Sequence, residues 1–155
     1  MGVNLSDNKQ AQSYLEMKVK TASPIQLVIM LYDKAIVCLN TAIELINKKS
    51  IKYDIINNNI IRAQDIVSEL MLSLDFEQGG EIAQNLFAIY DYCMKEMIDG
   101  NIKKDAVLLT NVVKILTELR SAWAELEKKE ASMKTSNKSS TQNATNEGSS
   151  FNFKV

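Results

Sequence analysis

Ser23-Pro24-Ile25-Gln26-Leu27-Val28-Ile29-Met30-Leu31-Tyr32-Asp33 is the stretch that sets the fold. Ser23 is a good helix N-cap and Pro24 suits the first helical position. Gln26 stands three residues after Ser23, where its side chain reaches back to the N-cap amide and completes a capping box. A helix is predicted over residues 24–49. Its inner face reads Leu27, Leu31, Ala35, Cys38, Ala42 and Leu45, flanked by Val28, Tyr32, Leu39, Ile43 and Ile46. So wide a stripe calls for two neighbouring elements to cover it. Lys48-Lys49-Ser50 ends the helix, with cations where the C-terminal dipole favours them.

Downstream the same three-and-four spacing recurs. Ile56, Ile60, Ala63, Val67, Leu70 and Leu74 predict a helix over residues 53–74. Asp75 to Gly80 reads as a turn holding Gly79-Gly80. Ile82, Leu86, Ile89, Tyr90, Cys93 and Met97 then face inward on a helix over 81–98, which Gly100-Asn101 stops. Leu109, Val112, Leu116, Leu119, Trp123 and Leu126 stripe a last helix over 105–130. Four helices of similar length joined by short links define an all-α fold, an antiparallel four-helix bundle. Residues 1–22 form an N-terminal arm, polar at first and then carrying the apolar patch Tyr14, Leu15, Met17, Val19. Residues 23–130 form the bundle. Residues 131–155, rich in Ser, Thr, Asn and Lys, form a tail read as disordered, because so little apolar content cannot offset ordering entropy. Phe151-Asn152-Phe153-Lys154-Val155 breaks that pattern. It is either a frayed end or a short docking motif.

Composition narrows the function. The chain has 155 residues with 5 Gly and 1 Pro, few breakers for a sequence that is 46% hydrophobic. Its 18 Lys+Arg nearly balance 19 Asp+Glu, which argues against general binding to nucleic acid or an anionic membrane. No apolar run approaches the roughly 20 residues that span a bilayer, and the polar N-terminus is no signal peptide. Histidine is absent, which removes the commonest general base and the commonest metal ligand together. Cys38 and Cys93 stand far apart and read as buried thiols of a reducing cytosol. Gly79-Gly80 lacks the spacing of a phosphate loop. The acids Asp75, Glu77 and Glu81 lack the spacing of a calcium loop and fit a helix N-terminus. No catalytic, cofactor or metal site is predicted. Tyr32, Tyr90 and Tyr92 are either core fillers with hydroxyls at the rim or the lip of a partner groove. Tyr14 and its patch are either a detachable strap over such a groove or a permanently packed arm.

Three ordered blocks then carry a resemblance. The first is Tyr14, Val19, Thr21-Ala22-Ser23-Pro24, Gln26-Leu27 and Met30-Leu31-Tyr32-Asp33. The second is Leu74-Asp75, Glu77, Gly79-Gly80-Glu81-Ile82-Ala83, Asn85-Leu86 and Tyr90-Asp91-Tyr92. The third is Leu119-Arg120 with Ala122-Trp123. Together they resemble the FliS family of flagellin export chaperones over residues 12–126. The resemblance implies a helical bundle without enzymatic activity, working in the cytoplasm. It implies binding to the disordered C-terminal segment of flagellin, which prevents premature polymerisation, and delivery to a component of the flagellar export gate. The candidate partner-binding residues are Tyr14, Leu15, Val19, Met30, Tyr32, Ile82, Leu86, Ile89 and Tyr90, and for Tyr14 the resemblance adds that a matching tyrosine in relatives, on an arm that packs on the bundle, is implicated in binding. A regulatory adaptor for another soluble flagellar assembly or transcription factor is the alternative. Lys34 departs from the glycine usual after the Leu-Tyr-Asp run, and the tail is longer than usual.

Overall fold

A computed structural model describes residues 5–140. Among them lie five helices and no strand: α1 (Leu5–Thr21), α2 (Pro24–Asn47), α3 (Tyr53–Leu72), α4 (Phe76–Lys103) and α5 (Ala106–Ser140). Helices α2 to α5 form a closed ring in which each packs on its chain neighbours and α5 returns to α2. That is the antiparallel four-helix bundle the spacing predicts.

The α2 start is built as its residues dictate. The Gln26 amide donates to Ser23 Oγ at 3.2 Å, and the Ser23 amide donates to Gln26 Oε1 at 3.0 Å. Helix α2 packs most closely of the four, against both α3 and α5. Its buried line explains why: Ala35, Cys38 and Ala42 are small and let neighbouring backbones approach, with Tyr32 and Leu39 filling the space between. The N-terminal half of α2 is rotated from the predicted phase. Ile25, Ile29 and Tyr32 are buried and Leu27 is partly exposed, because apolar residues on adjacent faces let two neighbours choose the line. On α3 the buried set is Ile56, Ile60, Ala63, Val67 and Leu70, in the predicted register.

The junctions correct three expectations. Helix α4 begins at Phe76, under an Asp75 cap that accepts from the amides of Glu77 at 3.0 Å and Gln78 at 3.1 Å. One turn later Gly80 leaves helical geometry at φ 48°, ψ −125°, and the helix restarts in a new direction. The glycine pair is therefore a kink inside a helix rather than a loop between two. Gly100 does not stop α4, which runs on to Lys103 and ends at Lys104 in the left-handed conformation. Gly100 is buried instead because Leu109 of α5 packs on it: a Cβ there would lie 2.8 Å from Leu109 Cδ2. Finally, α5 continues to Ser140, ten residues past the predicted end, with residues 131–139 all exposed. Its extension follows from unbroken helix-compatible sequence, Gly and Pro being absent from it. Residues 141–155, including the Phe151-Asn152-Phe153-Lys154-Val155 motif, lie outside the described residues.

The N-terminal arm is helical. Lys9, Gln10, Ala11, Gln12, Leu15, Glu16, Met17 and Lys18 are good helix formers with no breaker among them. Helix α1 makes no extensive packing with the bundle, and Tyr14, Leu15, Met17 and Val19 are all exposed. In this conformation it is neither a strap laid across the bundle nor a packed arm.

Gly80 supports a sharp test. No atom lies within 4 Å of the position its Cβ would take, so substitution meets backbone strain alone. Gly80→Ala should lower unfolding free energy by about 1–3 kcal/mol in urea titration, with little change in helical circular dichroism.

Candidate functional site

The centre of the bundle is aromatic. Tyr32 of α2 is 0% exposed and Tyr90 of α4 is 2% exposed. Their rings lie 6.5 Å apart at 43°, and their hydroxyls hydrogen bond to each other across the bundle. Trp123 of α5 donates its indole N–H to the Tyr32 hydroxyl at 3.4 Å. One turn of chemistry further out, Arg120 grips Asp33 through Nε to Oδ1 and Nη2 to Oδ2. Both members are partly exposed, so this fork contributes on the order of 0.2–1 kcal/mol. At the same end Gln26 Nε2 donates to Glu127 Oε1 at 2.8 Å, tying the α2 cap to α5.

Of the two readings of Tyr32 and Tyr90, core filler or groove lip, the geometry takes the core, with the hydroxyls inside rather than at the rim, which corrects their place among the candidate partner-binding residues. They are core, because a buried phenol needs a hydroxyl partner and each supplies the other's. Burial raises the pKa of both phenols, Tyr90 the more, with the neighbouring Tyr32 reinforcing it. Burial likewise pushes the Cys93 thiol up to about 11. Cys38 and Cys93 are both buried and unpaired with one another.

The remaining predicted residues divide between two places. Ile82, Leu86 and Ile89 share one face of α4, with Ile82 70% exposed and the other two half-buried. Ile82 was read as core, but Ala83 takes the inward position once Gly80 resets the helix. Ile89 lines a groove of about 370 Å³ between α4 and α5, with Ala88, Tyr92, Ile115, Glu118 and Leu119. Sequence reading missed Ala88, Ile115 and Glu118 there, and took Leu119 as core. The available signal was Ile115 beside core Leu116, an apolar residue just outside the stripe. Met30 lines a second depression of about 310 Å³ where α1 meets α2 and α5, near Lys18, Ile29 and Arg120. Tyr14, Leu15 and Val19 stay exposed on α1 and join neither lining. Lys34 is exposed on α2 and lines neither depression.

The α4/α5 groove is mostly apolar, with the Tyr92 ring at its lip and Glu118 as its charged member. Such a surface suits an apolar face of another chain. Among the described residues no cluster of three or more His, Cys, Asp or Glu side chains is placed to hold a metal ion. None of the described helices is long and apolar enough to cross a membrane.

This is a helical bundle with an open apolar groove, and comparison with known proteins gives it a family. The family model described as flagellar protein FliS matches residues 6–130. The flagellar secretion chaperone FliS of Bacillus subtilis is 31% identical over 73% of this chain and 82% of its own length. Its counterpart from Salmonella typhimurium is 33% identical over 77% of this chain and 87% of its own. A crystal structure of a flagellar chaperone from bacteria superposes with a TM-score of 0.63 at 20% identity, covering 79% of this chain and 98% of that one. The chain belongs to the FliS family of flagellar proteins.

The tyrosine pair yields two expectations. Tyr32→Phe leaves the Trp123 indole N–H and the Tyr90 hydroxyl short of a partner and should cost about 1–3 kcal/mol of stability by chemical denaturation. Tyr90→Phe should cost less, because Tyr32 keeps Trp123. Both phenols have raised pKa values in the folded state, so their neutral forms favour folding. That contribution is complete below the unfolded phenol value of about 10 and is lost as pH rises beyond it. The double variant Tyr32→Phe/Tyr90→Phe should therefore lose stability less steeply than the parent between pH 10 and 11.5, roughly, followed by thermal melts.

Proposed function

We propose that the chain is a cytoplasmic export chaperone that holds the disordered C-terminal segment of flagellin. In doing so it keeps the subunit from polymerising early and presents it to a component of the flagellar export gate. The observation that carries the reading is the apolar α4/α5 groove on a chain of the FliS family. Its named relatives are flagellar secretion chaperones.

The physics suits holding. A disordered segment that folds on binding can bury on the order of 1,000–3,000 Å² while paying roughly 2–5 kcal/mol or more for its ordering. A rigid bundle keeps its own share of that cost small. An amphipathic helix laid along α4 would place its apolar face over Ile89, Tyr92, Ile115 and Leu119, with Ile82 and Leu86 continuing the strip along α4. Tyr14, Leu15 and Val19 on the loosely attached α1 then offer a second apolar surface that can close over a bound segment. No nucleotide loop is legible in the sequence, so release falls to handover at the gate.

Calorimetry with a peptide of the flagellin C-terminal segment should show binding. Tyr92 is 48% exposed, so Tyr92→Ala should leave the fold intact. It should weaken binding about tenfold or more, as expected for an aromatic anchor at an interface. Tyr14→Ala should also weaken binding without loss of helical signal. Absence of any complex with the parent chain would overturn the reading.

A further inference from the structure

The link from α2 to α3 and the link from α4 to α5 lie at the same end of the bundle, away from the Ser23 cap, and they meet there. Lys104, in the second link, donates to Asn57 Oδ1 of α3 at 2.6 Å. It also donates to the Asn101 carbonyl at 2.7 Å and to Asn101 Oδ1 at 2.6 Å. Between the links is a depression of about 240 Å³, lined by Lys49, Ser50, Tyr53 and Lys104 with Ile46 and Ile56.

Backbone and charge set this place apart. Among the described residues two outside glycine have positive φ, Lys49 at 54° and Lys104 at 49°. Both line the depression. Each stands just past a helix end, where glycine would take the left-handed conformation without strain. The helix dipole favours cations at a C-terminus but does not call for left-handed lysine. Strained positions of this kind gather at ligand sites. Five lysines, Lys48, Lys49, Lys52, Lys103 and Lys104, stand on or beside the two links. Lys48 pairs with Glu44, and among the described residues no carboxylate comes within ion-pair distance of the other four. Asp105, the nearest acid in sequence to Lys104, gives Oδ1 to the Val107 amide at 2.9 Å. All three acceptors around Lys104 are neutral. Partial burial lowers its pKa from the ordinary lysine value, with no carboxylate to oppose the shift. The ammonium is held in place and lacks a counter-charge.

We propose that this end of the bundle docks an acidic segment of a second protein, which seats a carboxylate between Lys49 and Lys104 and lays apolar side chains on Ile51, Tyr53, Ile102 and Val107. The apolar part is visible in the exposures: Ile51 is 82% exposed, Ile102 76% and Val107 67%. Large aliphatic side chains left outward on both links suit an interface. Charge complementarity selects the occupant. A purely apolar segment would cover the lysines without compensation, at a desolvation cost, whereas a carboxylate supplies what they lack. Neutral donors stand ready beside them. Ser50 Oγ accepts the Lys52 amide at 3.2 Å, which leaves its O–H to donate. Lys104 is already fixed by three hydrogen bonds, so it loses little side-chain freedom on binding. Its recessed position favours a side chain that enters the depression over a flat lipid surface. Tyr92 of the α4/α5 groove and the end of α4 at Lys103 are eleven residues apart, about 17 Å along the helix. The two surfaces are separate, and this one does not rest on the reading of the groove.

The probe is a synthetic hexapeptide alternating Glu with Leu, blocked at both ends, titrated into the full chain and followed by amide and methyl NMR. Shift changes are expected at Ile51, Tyr53, Ile102 and Val107, and the affinity should fall as salt is raised. The same peptide with Gln for Glu should bind about tenfold more weakly or less. Lys49→Gly relaxes the backbone, so it should keep the parental helical signal. It should nevertheless weaken the Glu peptide about threefold to fivefold, as loss of one partly exposed pairing implies. Equal binding of the Gln and Glu peptides would overturn the proposal, as would shift changes centred on the α4/α5 groove or none at millimolar peptide. Sedimentation with phosphatidylserine vesicles without peptide binding would overturn it in favour of a lipid surface. Shifts of these residues on dilution of the chain alone would overturn it in favour of a second copy.

Discussion

The hydroxyl-to-hydroxyl contact between Tyr32 and Tyr90 is the constraint around which the bundle is arranged. Helices α2 and α4 stand on opposite corners of the ring and do not pack backbone to backbone. Two large rings bridge the gap, and their phenols are buried where an unpaired hydroxyl costs free energy. Each hydroxyl satisfies the other, and Trp123 brings α5 into the same contact. Asp33, the next residue on α2, takes Arg120 from the same helix as Trp123. The pairing therefore fixes the rotation of three helices at once. It also determines which face of α4 is left outward, and hence the groove with α5.

Much of the fold was legible because helix periodicity and capping are local signals. The capping box at Ser23, the α3 stripe and the inward set Tyr90, Cys93, Met97, Leu109, Val112 and Leu116 all read directly from spacing. The errors came where distant contacts decide. Gly100 reads as a stop in one dimension, but Leu109 needs the missing side chain and the helix continues. Gly79-Gly80 reads as a loop, yet the Asp75 cap holds one turn ahead of the kink. Tyr32 and Tyr90 belong to the motif blocks that carry the family resemblance, and their aromatic side chains suited either the core or a groove lip. The structure shows those blocks converging on one another: Tyr32 on Tyr90 and Trp123, Asp33 on Arg120. Much of the signature marks the centre of the bundle, while Tyr92 and Leu119 of the same blocks line the groove beside it, with Ala88, Ile89, Ile115 and Glu118 from outside the blocks.

A bundle fixed in this way suits a holder of chains. Its centre is pinned by directional contacts, while the groove between α4 and α5 is apolar apart from Glu118 of α5 and open enough for another segment to lie in. Helix α4 packs less closely on its neighbours than α2 does, which leaves the space that the groove occupies. Rigidity at the tyrosines and openness between α4 and α5 are two results of the same packing. Affinity then comes from apolar area and aromatic anchoring.

Hydroxyl-radical footprinting of the chain, with and without the flagellin C-terminal segment, tests the central claim most directly, since it reads side-chain exposure residue by residue. The account predicts protection of Tyr92, Ile89 and Leu119 on complex formation, with Val37 and Ile51 on the α2 and α3 side equally reactive in both states. Protection confined to the α2 and α3 side, with Tyr92 still reactive in the complex, would contradict it.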